Sequence, residues 1–300
     1  MTSLDTASPP GPKVLNAFER EGFVVLRDVI APNWREQAAA AAMRLLASDR
    51  ALGRDRSVDG KDGFRGIVAM DDTFLPLVTN PRVLPTLVAL LSANLQLMSS
   101  NLIYMPSIPP GGTRTIRVPE RHGWHRDMSS TNRDLGTEVV PRLSIKVAYF
   151  LSDLAPDAGV TMLLPGSHTD TGPVTVPAGA IDPPGAITPD VGPFDALLFE
   201  NRTWHAGGLN TSGHPRLAVM MQYGYRWLAP VDDRAPHLLD REDLTDIERQ
   251  LLGRPDRHPD GSVAHEGAGA APLRTWWQHL NPDPARSSDD TALGQLDAKD

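Results

Sequence analysis

The chain has 300 residues, 40% of them hydrophobic, so it can bury a sizeable core as one large domain with additions. A formal net charge of -8 and the lack of a dense basic run exclude a nucleic-acid phosphate backbone as the expected partner. Zero cysteines remove disulfides, thiolate zinc sites, iron–sulfur clusters and cysteine nucleophiles, leaving nitrogen and oxygen as the ligands for any metal.

Residues 1–13 carry Ser, Thr, Pro and acidic residues where a signal peptide would have a basic start and an apolar run. No later stretch reaches membrane-spanning length, so a cytoplasmic enzyme with a flexible N-terminus and no membrane partner is expected. Residues 14–20 read as an amphipathic helix stopped by Gly22, and residues 23–26 as an apolar strand. Pro32 and Asn33 open a second helix that runs on through the alanine-rich stretch to residue 47. Residues 49–63 read as a charged loop able to cover a site, and residues 81–91 as a third helix.

From Leu95 onward the pattern changes to short runs of β-formers separated by turns: residues 95–104, 144–151, 160–164, 195–199 and 216–225. This spacing predicts an antiparallel sandwich or barrel, mainly β with flanking helices. Residues 169–190 are rich in Pro and Gly and read as a surface connection. Thr245-Asp246-Ile247-Glu248 resembles a capping box, and Trp276 and Trp277 offer an apolar patch to pack back on the core. The expected organisation is one domain over residues 14–281, with a core of about 95–228, a helical and loop extension over 229–281, and a disordered tail over 282–300.

An imidazole and a carboxylate two residues apart on an extended strand face one side and can hold one metal ion. His-x-Asp occurs here three times, at His125-Arg126-Asp127, His168-Thr169-Asp170 and His258-Pro259-Asp260, so the pattern alone selects none of them. His258 lies in a solvated Arg/Pro/Asp stretch, and His168 follows a Pro-Gly-Ser turn where a histidine more often packs a loop. Gly123 and Trp124 before His125 suit a strand entering a core. Downstream, Trp204-His205 follows the apolar run 196–199, and Arg216 heads the run 217–221. If His205 ends one strand and Arg216 begins its antiparallel partner across residues 210–214, both face one cavity. Arginine suits a carboxylate there because its planar fork makes two charge-assisted hydrogen bonds.

Each residue also has a plain alternative. Asp127 could pair with Arg126 or Arg133, and His205 could be a hydrogen-bonded core histidine. Arg121, His122 and Arg126 could be solvated or could meet an acidic group on a substrate; Tyr223, Tyr225 and Trp227 could be core or pocket lining.

The ordered set His125-x-Asp127, residues 164–168, Gly192-Pro193-Phe194-Asp195, then His205, Asn210 and Arg216 resembles the phytanoyl-CoA dioxygenase family of iron(II)- and 2-oxoglutarate-dependent oxygenases. The likeness extends from Phe18 to Tyr225, because residues 21–26 are similar to the family's usual opening. The resemblance implies a double-stranded β-helix, a jelly roll of the cupin type, with His125, Asp127 and His205 on iron and Arg216 on the distal carboxylate of 2-oxoglutarate. Many relatives carry a hydroxyl residue two positions after the second histidine, where this chain has Gly207; Ser99, Asn101, Ser144 and Lys146 are the candidates to replace its hydrogen bond, with Asn101 and Lys146 preferred.

The implied reaction couples dioxygen and decarboxylation of 2-oxoglutarate to oxidation of an unactivated C–H bond of a small molecule. Related halogenases lack the carboxylate, so Asp127 favours hydroxylation; desaturation, cyclisation and epoxidation depend on substrate placement. A zinc hydrolase on the same ligands and a non-catalytic binding protein are the rivals, and Arg216 and the intact ligand set argue against them. The composition resembles that of high-GC bacterial proteins, among which tailoring of secondary metabolites is a common role.

Overall fold

The computed structural model describes residues 3–51, 62–108, 122–136, 140–233, 236–255, 257, 260–262 and 271–282. Helix α1 (Pro12–Glu21) begins at a proline and stops at Gly22, whose φ of 78° lets its N–H turn back onto the Phe18 carbonyl. Strand β1 (Phe23–Leu26) follows, then α2 (Pro32–Ala51), β2 (Asp62–Arg65), α3 (Leu84–Leu90) and the long β3 (Leu95–Met105). After α4 (Ser130–Leu135) come β4 (Ser144–Phe150), β5 (Thr161–Leu163), β6 (Ala196–Glu200), β7 (His205–Gly207) and β8 (Arg216–Tyr225). The helices α5 (Pro236–Leu239), α6 (Asp246–Leu251) and α7 (Ala271–Leu280) close the chain.

Six strands form one antiparallel sheet in the order β1-β6-β4-β8-β3-β2, and β5 pairs with β7 in a second, short one. Strand alternation gives the large sheet two different faces. Ile145, Val147 and Tyr149 of β4 and Leu217, Val219, Met221 and Tyr223 of β8 join a core with Phe18, Leu84, Leu87 and Leu251 of the helices. The opposite face presents Ala148, Phe150, Leu197, Phe199, Ala218 and Met220, which meet Leu163 of the short sheet. This is the expected jelly roll: helices cover the outside, and His205 and Arg216 are buried inside.

Several expectations shift. Ser3–Thr6 forms a short 3-10 helix with Leu4 buried, so part of the start that read as flexible packs down. Helix α2 reaches Ala51, β2 takes the end of the expected loop, and residues 52–61 between them lie outside the described residues, as do 283–300 of the tail. The predicted hairpin between His205 and Arg216 does not exist: β7 pairs with β5, whereas β8 lies between β4 and β3. The connection instead crosses from one sheet to the other, held by Asn210, whose Nδ2 donates to the carbonyls of Met105 at 3.1 Å and His214 at 2.7 Å. His205 and Arg216 therefore lie on different sheets rather than along one ribbon. The capping box is present, with Glu248 N–H donating to the Thr245 hydroxyl at 3.2 Å and Thr245 N–H to the Glu248 carboxylate at 2.8 Å. Trp276 and Trp277 pack against the outer core. No helix among the described residues is long and apolar enough to cross a membrane.

Candidate metal centre

His125, Asp127 and His205 come together, with one ligand atom from each lying within 4.8 Å of the others. The predicted strand through His125 shrinks to a single bridge: the His125 and His205 amides each donate to the other's carbonyl at 3.0 Å. This reciprocal pair sets the two imidazoles side by side, their centroids 4.2 Å apart. Asp127 sits in the turn that follows, where Met128 adopts a left-handed φ of 55°, uncommon for a residue with a side chain, before α4 begins.

The two imidazoles are oriented by carbonyls. Nδ1 of His125 lies 2.8 Å from the Gly123 carbonyl and Nδ1 of His205 lies 2.9 Å from that of Thr203, so each Nδ1–H is committed and each Nε2 is left as the ligand atom. Burial pushes the His205 imidazole down to about 4, with Asp127 pulling partly the other way, so it is neutral and ready to ligate at physiological pH. Burial by itself would raise the Asp127 carboxyl, but the Lys146 ammonium, with His205 and His125, holds it below the usual carboxylate range. Lys146 Nζ lies 2.8 Å from Oδ2 and 2.9 Å from Oδ1 of Asp127. Two neutral imidazoles and one carboxylate suit a divalent metal with positions left open.

Arg216 is the second element. It is 2% exposed on the inner face, its Nη1 donates to the Gly159 carbonyl, its Nε has no partner, and no acidic side chain pairs with it among the described residues. Its guanidinium lies 6.0 Å from the Phe150 ring centroid. Burial draws its pKa down to about 10, which leaves it a cation at neutral pH. A buried cation without an anion is costly, and a ligand carboxylate would satisfy both its charge and its open N–H. Arg216 thus offers a buried positive charge and an open donor to an anion.

The other predicted residues divide. Asn101 lies on the inner face opposite Met220 with an unpartnered buried Oδ1, while Lys146 reaches Asp127 instead. Ser99 and Ser144 are tied to Gln222, at 3.4 and 2.9 Å, and so are engaged. Arg126 is neither solvated nor aimed at a substrate: it is buried, donates to the carbonyls of Ser167 (2.7 Å) and Asp170, and lies 4.9 Å from the Trp204 ring centroid. Asp127 accordingly pairs with Lys146, not Arg126. His168 is a loop-packing residue, its Nε2 3.0 Å from the Glu19 carbonyl. Tyr223 belongs to the outer core, with its hydroxyl 3.0 Å from the Leu77 carbonyl. Tyr225 and Trp227 stack at 5.3 Å, Trp227 largely exposed. Arg121 and His258 lie outside the described residues, as does the side chain of Arg133. Sequence reasoning missed Asp182, whose Oδ1 meets Nδ1 of His122 at 2.6 Å and accepts from Nε1 of Trp124 at 2.9 Å, pinning the approach to the metal motif. An aspartate within a Pro/Gly-rich connection carries no local signal for that task.

Known proteins resemble this chain. Protein Rv1501 of Mycobacterium tuberculosis, itself uncharacterized, is 26% identical over 232 residues, 74% of this chain and 76% of its own. The structure of EctD from S. alaskensis with 2-oxoglutarate and 5-hydroxyectoine superposes with a TM-score of 0.57 at 22% identity, covering 73% of this chain and 78% of that one. The epimerase SnoN, in complex with Fe3+, alpha ketoglutarate and nogalamycin RO, gives 0.54 at 20% identity, covering 78% and 90%. The family model for phytanoyl-CoA dioxygenase matches residues 18–218, most of the length and every residue of the site described above, and the chain belongs to that family.

Proposed function

We propose that this protein is an iron(II)- and 2-oxoglutarate-dependent oxygenase that hydroxylates an unactivated C–H bond of a small molecule in secondary metabolism. The observation that carries the reading is the pairing of an all-N/O ligand set, His125, Asp127 and His205, with a buried arginine that lacks an anion. A zinc hydrolase would need the first but not the second.

In this reading His125, Asp127 and His205 hold the metal, and Arg216 receives the distal carboxylate of 2-oxoglutarate. Bound iron and 2-oxoglutarate supply the oxidising chemistry: dioxygen gives one oxygen atom to the substrate as hydroxyl and one to succinate, with carbon dioxide leaving. The chain supplies placement. The carbonyls of Gly123 and Thr203 hold the imidazole protons away from the metal side. Asp127 would serve as the carboxylate ligand of the metal, a ligand that related halogenases lack, which favours hydroxyl over halogen as the group transferred. Lys146, beside Asp127, and Asn101, with its open Oδ1 on the inner face, are secondary contacts for the cosubstrate. Phe150, Leu197, Phe199 and Met220 form an apolar wall that keeps bulk water from the reacting centre.

Succinate release screened against candidate metabolites tests the assignment. The expected result is substrate-dependent succinate with a product one oxygen atom heavier. Turnover that yields an isomer or a product lacking two hydrogens would reject hydroxylation while retaining the oxygenase class.

A further inference from the structure

An acidic group without a counterion lies behind β3, on the face away from Asn101. The β3–β8 register shifts between Leu97 and Ser99, and the Met98 carbonyl at this bulge accepts from the amides of Val231 at 2.8 Å and Asp232 at 3.0 Å. Asp232 is thereby seated on Ser100, which alternation turns outward because Asn101 faces inward. Oδ2 of Asp232 is saturated, accepting from the Ser100 amide at 2.6 Å, the Ser100 hydroxyl at 3.2 Å and the Gly66 amide at 3.0 Å. Oδ1 is buried and accepts nothing, and no cation pairs with the carboxylate among the described residues. Burial pushes the carboxyl up, against the pull of the Ser100 and Gly66 donors and of exposed Arg65. The carboxylate lines a cleft of about 50 Å³ together with Val68, Leu97, Leu238 and Leu252.

We propose that this cleft binds a primary ammonium group carried on a short aliphatic chain, with the ammonium donating to Oδ1 of Asp232 and the chain lying along the apolar wall. A single water fills about 10–15 Å³ of such space and needs several polar partners. The cleft exceeds that volume, yet the Gln96 amide on its wall is already committed to the carbonyls of Arg226 at 3.3 Å and Leu228 at 2.8 Å. A file of waters finds few partners there, whereas an aliphatic stem finds contacts. An ammonium suits this carboxylate better than a guanidinium, because the guanidinium fork needs both oxygens and Oδ2 already takes three donors. The site stands apart from the metal centre and does not rest on the oxygenase reading.

The test is a titration of isotope-labelled protein with n-butylammonium, followed by the nuclear magnetic resonance shifts of the Ser100 and Gly66 amides, with 1-butanol and n-butylguanidinium as controls. n-Butylammonium should saturate these shifts with a dissociation constant of about 1 mM, and each control should bind about tenfold more weakly. Asp232→Asn keeps an acceptor for Ser100 and Gly66 but removes the charge, and should weaken n-butylammonium about tenfold. Ala69→Phe narrows the cleft and leaves the carboxylate in place; it should weaken binding as much, and it decides the matter where the Asp232→Asn protein fails to fold. Shifts that do not saturate in wild type, 1-butanol bound as tightly as n-butylammonium, or undiminished binding in either folded variant overturns the site. n-Butylguanidinium bound as tightly as n-butylammonium overturns the choice of ammonium.

Discussion

Two arginine sites in this molecule look alike in sequence, at Pro141-Arg142-Leu143 and Pro215-Arg216-Leu217, and differ in completeness. At one, Glu200 is 0% exposed and is gripped by Arg202, through Nε and Nη2 at 2.9 and 3.0 Å, and by Arg142, which also takes Glu19 with two nitrogens at 2.8 and 2.6 Å. Burial alone would lower Arg142, but Glu19 and Glu200 outweigh it and push its pKa up. At the other, Arg216 has one carbonyl, an idle Nε and a pKa drawn down by burial with nothing opposing it. The first is a finished staple joining α1, the end of β6 and the entry to β4. The second is half of an ion pair that has no acidic partner among the described residues.

Removing arginines separates the two. Arg142→Ala should give the largest effect, a loss of about 3–5 kcal/mol of stability, because Glu200 stays buried with part of its charge uncompensated. Chemical denaturation measures it, and folded protein should retain wild-type affinity for 2-oxoglutarate. His205 is a buried titratable group of the open kind. In the folded metal-free chain it stays neutral down to about 4, whereas the unfolded chain takes up its proton near 6.5. That stability is fully present above pH 6.5 and is lost as pH falls through 4, about 3 kcal/mol in all, and His205→Gln should flatten the slope. Arg216→Met should do the reverse of Arg142→Ala: metal-free stability unchanged or raised, with 2-oxoglutarate weakened by about 100-fold in calorimetry. A destabilisation as large as that of Arg142→Ala would erase the contrast. The smallest effect belongs to Asp182→Ala, which frees His122 and Trp124 and should cost about 1–2 kcal/mol of stability and about tenfold in metal affinity.

The parts of this site readable in sequence are those fixed by short spacing and order. His125 and Asp127 are two residues apart, and His205 and Arg216 each lie near an apolar run, but His-x-Asp occurs three times and it is the ordered resemblance to the family that singles this set out. What was misread depends on which strands pair. Residues 208–215 between β7 and β8 look like a hairpin turn but cross between sheets, because β8 finds longer partners in β3 and β4 than three-residue β7 can offer. The role of Asp182 depends likewise on a contact across the fold, 58 positions from Trp124, and no local pattern encodes such a pairing. Helix α4 has no sequence signal because STNRDL carries no apolar stripe; it follows a turn in which Met128 is left-handed.

The central claim is that the open arginine and the His125, Asp127 and His205 set bind one cosubstrate and one metal together. Adding iron(II) and 2-oxoglutarate to the protein without oxygen tests it most directly. The prediction is a broad charge-transfer absorption in wild type that is lost in His205→Ala and requires far more 2-oxoglutarate in Arg216→Met. No absorption in wild type, or undiminished absorption in His205→Ala, would contradict it.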